Sequence, residues 1–165
     1  MSQSNIGLLE AIDMAMEAEM KASQFYTDAA NRVQTPRGKD LLEQLADFEQ
    51  NHYRKLGELK NSLNKNGEYI DYSGTQFKSE RGNIPSEVAG KIESNTNEIL
   101  EILNIAINAE DKAAKNYRKL ADSTSDTRGK EMFNKLADEE VLHRRILSDE
   151  FFQFSNERSN WNWGD

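Results

Sequence analysis

Two copies of the spacing Glu-x-x-His, Glu49/His52 and Glu140/His143, contain the only two histidines of the 165-residue chain. At that spacing a carboxylate and an imidazole stand one turn apart on one face of a helix. Around both pairs, leucine and phenylalanine recur at steps of three and four, so each pair lies on an apolar stripe. Polar groups there are costly unless something satisfies them. With 18 glutamates in the chain, chance would place Glu three residues before both histidines roughly once in 80 times. Glu19 and Glu110 occupy the apolar stripes of two further segments. Four carboxylates and two imidazoles make a hard donor set with one nitrogen per ion. That set suits two iron or manganese ions better than a closed tetrahedral zinc site, which usually draws on more Cys or His. Four carboxylates and two divalent ions also cancel in charge, so the layer becomes neutral when filled. Ordinary solvated helix residues would be the alternative, but that would leave six ionisable groups on apolar stripes.

The elements that position these groups repeat. Shifting the segment from Leu8 by 91 residues aligns it without a gap through Leu56 and Leu147, with 19 identities in 49 positions. Glu19/Glu110, Tyr26/Tyr117, Arg37-Gly38-Lys39/Arg128-Gly129-Lys130, Asp47/Asp138, Glu49/Glu140 and His52/His143 are among them. The expected fold is therefore all-α, two copies of one helical hairpin. Helices are expected over about 6–33, 36–64, 94–121 and 127–152. Thr35-Pro36 is an N-cap followed by proline at the first helical position, Asp126 is the equivalent cap, and Gly67 is a stop. Counting from a turn near residues 34–36, Glu19 lies about 16 residues before it and Glu49 about 14 after, so both reach one level of an antiparallel pair. The second copy repeats this, and all six groups converge in one mid-bundle layer. One Glu from each of two helices plus Glu-x-x-His from each of the other two is the pattern of a carboxylate-bridged di-iron or di-manganese bundle.

The organisation is read as one domain over 1–165: a hairpin over 6–65, a long crossover over 66–93, a hairpin over 94–153 and a polar tail over 154–165. Residues 86–92 are expected to form a short helical turn, and the tail to be extended or loosely docked. Tyr26 and Tyr117 stand two turns beyond Glu19 and Glu110, within reach of the layer. Asp47 and Asp138 are candidates to hold the far nitrogen of a ligand histidine, or to pair on the helix surface. Glu17 is read as surface, and Met14, Met16 and Met20 as core packing.

The net charge of −8 argues against nucleic-acid binding. No apolar run approaches the ~18 residues a membrane span needs, and the N-terminus lacks an export pattern, so the cytoplasm is the expected compartment.

On the paired hairpins and the doubled Glu-x-x-His, residues 6–153 resemble the ferritin-like superfamily, most closely rubrerythrin-like di-iron proteins. The resemblance implies a four-helix bundle with two iron ions, manganese being the alternative. Glu49 and Glu140 would bridge, Glu19 and His52 would serve one ion, and Glu110 and His143 the other. It further implies an oxidoreductase reducing hydrogen peroxide or dioxygen, or alternatively a ferroxidase acting on ferrous iron, and a homodimer. Two features depart from the family. The chain lacks the cysteines of a rubredoxin domain, so electrons would come from an external donor such as a rubredoxin, or from ferrous iron. Ala113 stands where rubrerythrins carry an additional carboxylate, leaving six ligands as in bacterioferritin-type sites. A metal-free helical interaction module is the reading from another class.

Overall fold

A computed structural model describes residues 3–75 and 96–161. Four helices make up the bundle: α1 over Gln3–Arg32, α2 over Pro36–Asn66, α3 over Thr96–Ser123 and α4 over Thr127–Trp161. Their ends are set by the residues the sequence singles out. Thr35 is extended (φ −78°, ψ 135°), and its hydroxyl accepts the Gly38 N–H at 3.3 Å, with Pro36 opening α2. Asp126 does the same for α4, its Oδ1 accepting the N–H groups of Arg128 at 2.9 Å and Gly129 at 3.2 Å. Each cap satisfies donors that a helix start would otherwise leave orphaned. Gly67 ends α2 in the left-handed region at φ 68°, where its N–H reaches the Leu63 carbonyl at 3.0 Å.

The repeated Arg-Gly-Lys marks a close approach behind each cap. A Cβ on Gly38 would lie 2.7 Å from Val33 Cγ1, and one on Gly129 would collide with the Tyr69 ring and sit 2.8 Å from Thr124 Cγ2.

Helix α1 packs on α2 and α3 on α4, and the two hairpins pack antiparallel through two apolar clusters. One joins the first turn (Val33, Leu41, Leu45) to the start of α3 (Ile99, Leu103) and the end of α4 (Leu147, Phe154). The other joins Ile12, Leu56 and Leu59 to Tyr117, Phe133 and Leu136 near the second turn. The chain therefore leaves α2 at one end of the bundle and enters α3 at the other. Of the expected crossover, residues 68–75 carry neither helix nor strand, and Tyr69, Ile70 and Tyr72 pack against the second cluster. The helical turn expected over 86–92 lies outside the described residues. Among the described residues, no helix is long and apolar enough to cross a membrane.

Two expectations are corrected. Helix α4 does not stop at 152 but runs through Trp161, so residues 154–161 are helix rather than an extended tail. Leu147, Phe151 and Phe154 continue its stripe, and Phe154 is buried in the first cluster. Met14 is 72% exposed instead of packed, and its repeat counterpart Ile105 is 55% exposed. Met14 stands two residues from buried Ile12, about 200° around the helix, which turns it outward.

Candidate metal centre

Between the two apolar clusters lies a polar layer in which none of Glu19, Glu49, His52, Glu110, Glu140 and His143 is more than 3% exposed. Each comes from the stripe of its own helix, and the equal heights of the two hairpins bring all six together. His52 Nδ1 faces Glu140 Oε1 at 2.9 Å, Glu19 Oε1 at 3.4 Å and Glu49 Oε2 at 3.4 Å. His143 Nδ1 faces Glu49 Oε1 at 3.1 Å, Glu110 Oε1 at 3.6 Å and Glu140 Oε1 at 3.7 Å. The two imidazoles lie 6.0 Å apart, centroid to centroid, and nearly parallel at 13°. Each Nδ1 thus meets the glutamate of its own helix, the glutamate of its hairpin partner and one glutamate of the other repeat.

Two groups of four side chains follow: Glu19, Glu49, His52 and Glu140, and Glu49, Glu110, Glu140 and His143. Within each, the donor atoms lie within 4.8 Å of one another. Glu49 and Glu140 belong to both. Glu19 Oε2 and Glu110 Oε2 are buried without a hydrogen-bond partner, and Glu49 Oε2 and Glu140 Oε1 approach His52 Nδ1 without hydrogen-bond geometry. Buried acceptors of that kind cost of order 1–3 kcal/mol each when nothing meets them, and a pair of divalent cations would meet all four. The residues therefore fit two metal ions.

Burial sets the protonation of the metal-free layer. It pushes Glu19 up to about 8, with the Glu49 charge adding to it. It raises Glu140 well above the usual range, helped by Glu110, Glu49 and Glu19. Burial alone would lower both histidines. The carboxylates of Glu19 and Glu140 nevertheless hold His52 well above 6.5, and those of Glu110 and Glu49 hold His143 at about 9. Burial also opposes ionisation of Glu49 and Glu110, but their neighbours outweigh it and both are lowered. In the metal-free layer Glu19, Glu140, His52 and His143 thus favour their protonated forms, and Glu49 and Glu110 their ionised forms. Divalent ions would displace the protons of the raised groups.

The tyrosines reach the layer by crossing between repeats. Tyr26 donates to Glu110 Oε1 at 2.6 Å and Tyr117 to Glu19 Oε1 at 2.5 Å. Burial, and then the carboxylate each one faces, raises both phenols far above 10, so they remain donors. Neither aspartate candidate meets a histidine: Asp47 is exposed, and Asp138, also exposed, pairs with Arg118. Their directions at steps of five from His52 and His143 carry them off the stripe. Glu17 is a surface residue paired with Lys21 at 3.1 Å. Sequence reasoning missed Glu139, whose Oε2 lies 2.8 Å from His52 Nε2. The signal was a break in the repeat, since position 48 of the first copy is Phe.

The family of ferritin-like domains matches residues 9–154. The fold is similar to the solved structure of a hypothetical protein from Pyrococcus furiosus, with a TM-score of 0.72 and 23% identity over 94% of each chain. No curated protein matches the chain.

Proposed function

The chain belongs to the ferritin-like domain family, and we propose that within it this protein is a rubrerythrin-like di-iron oxidoreductase that reduces hydrogen peroxide or dioxygen. The observation that supports this reading is the sharing of Glu49 and Glu140 by two buried four-residue groups, each with one imidazole. Two iron ions held there would supply one electron each to an O–O bond. Reduction of hydrogen peroxide to two waters consumes two electrons and two protons, so the electrons are restored by an external donor protein.

The chain's own residues bind, orient and exclude. Glu19, Glu110, His52 and His143 hold the outer positions, while Glu49 and Glu140 stand between them. Tyr26 and Tyr117 fix the outer carboxylates and each keep a proton one hydrogen bond from a ligand oxygen. The apolar clusters on both sides keep bulk water from the layer, which strengthens every charge interaction inside it.

Ala113 favours a second reading. Without a further carboxylate one turn beyond Glu110, the layer has the six ligands of a bacterioferritin-type ferroxidase, whose substrate is ferrous iron. Stopped-flow mixing of the di-ferrous protein with peroxide or dioxygen separates the two. Oxidation of the centre much faster by peroxide supports the first reading. Rapid turnover of added ferrous iron with dioxygen supports the second.

A further inference from the structure

The repeat supplies two chemically identical ligand sets, but it breaks one residue before Glu140. At the aligned offset of 91, Glu139 stands where the first copy has Phe48. Both side chains meet the histidine of the opposite repeat. Glu139 Oε2 lies 2.8 Å from His52 Nε2, on the side of the ring away from the four glutamates. Phe48 packs edge-on against His143, with centroids 4.7 Å apart at 87°. One imidazole therefore meets a carboxylate where the other meets a phenyl ring.

Glu139 is itself held in place. The Tyr72 hydroxyl donates to its Oε1 and Oε2 at 2.8 and 3.0 Å, and the Thr75 N–H reaches Oε1 at 3.3 Å. Those donors come from the segment that follows α2. Gly74 brings the backbone in: its φ is 89°, and a Cβ there would lie 2.9 Å from Glu139 Oε1. A glycine is thus required on both conformational and steric grounds. The Glu139 carboxylate is buried, and two donors, the Tyr72 hydroxyl and the Thr75 N–H, orient it toward the histidine.

A carboxylate on the outer N–H of a ligand imidazole fixes the tautomer, pins the ring and raises the basicity of the ligating nitrogen. Here it would reserve His52 Nδ1 for an ion. We propose that Glu139 is a positioning residue that makes the two metal positions unequal, so that the His52 position binds its divalent ion more tightly and fills first. The proposal rests on the two-ion reading of the layer. It adds an order of filling and assigns it to Glu139, Tyr72 and Thr75.

Titration of the metal-free protein with cobalt(II), followed by its visible absorption and by chelator competition, tests this without any turnover. Wild-type protein should take up two ions per chain in two steps. Glu139→Gln keeps the shape and removes the charge, and should weaken the tighter step by ~10- to 100-fold while leaving the other within a few-fold. Tyr72→Phe keeps Glu139 but removes one of its donors, and should weaken the same step by a smaller factor. It also serves as the test if Glu139→Gln does not fold. Equal weakening of both steps, or no change in either variant, would overturn the proposal. Failure of the wild-type protein to bind two ions would instead overturn the two-ion reading beneath it.

Discussion

At His52 and His143 the same ring atom, Nδ1, turns toward three carboxylate oxygens, and Glu49 and Glu140 appear in both sets. Under the proposed two-ion reading, these shared side chains would couple the two positions. Replacing either histidine with alanine should therefore lower the occupancy of both ions, as measured by metal content after equilibrium dialysis. Loss of one ion with the other held at full strength would count against shared bridging. Protonation carries a second expectation at this scale. Glu19 at about 8 and His143 at about 9 hold protons at pH 7 in the metal-free layer, and Glu140 and His52 are raised in the same direction. Metal binding should release about two protons per chain or more at pH 7, measured by calorimetry in buffers of different ionisation enthalpy. No proton release would mean that the ions bind elsewhere. The six layer residues were legible because their spacing and their repeat coincide. Glu139 was not, since it lies off the stripe and the repeat holds no second copy of it. Asp47 and Asp138 do repeat, but they stand at steps of five from the histidines, off the stripe, and repetition alone does not bring a side chain to the layer.

The helices place these side chains through caps and close-packed stripes. Leu136 is fully buried in the cluster beside the layer. Truncating it to alanine should cost about 2–5 kcal/mol in chemical denaturation of the metal-free protein. A change below 0.5 kcal/mol would contradict that packing. Helix boundaries were legible at Thr35, Pro36, Gly67 and Asp126 because each residue type has a specific backbone role. The end of α4 was not. Ser155, Asn156 and Glu157 suggest a loop by polarity, yet none of them breaks a helix, and Phe154 still reaches the core. Removal of residues 155–165 leaves Phe154 and all six layer residues in place. Metal binding by the truncated chain should match that of the full chain in the same dialysis. A loss would assign that end of the chain a part in closing the site.

Over the whole molecule, the two hairpins enclose a layer whose net stability depends on what fills it. In the metal-free protein Glu19 and Glu140 hold protons more tightly folded than unfolded. Their contribution is complete below about pH 4.5 and is lost as pH rises through the folded values, about 8 for Glu19. His52 and His143 act in the same direction from about 6.5 upward, His143 through about 9. Glu49 and Glu110, lowered, act oppositely and lose their contribution as pH falls below about 4.5. Metal-free protein should thus melt highest near pH 5 and progressively lower toward pH 9. Metal binding competes with protons for the same atoms, so its stabilisation grows over that range. The gap in Tm between loaded and metal-free protein should be wide at pH 7.5 and narrow at pH 5. Equal melting temperatures at pH 7.5, with metal content confirmed, would contradict a single buried site. The bundle itself was legible from the ungapped repeat, because two equal hairpins can bury their stripes only against each other. The most direct measurement is elemental analysis of the purified chain after iron repletion and removal of free metal. Two iron ions per chain are predicted, and less than about half an equivalent would contradict the account.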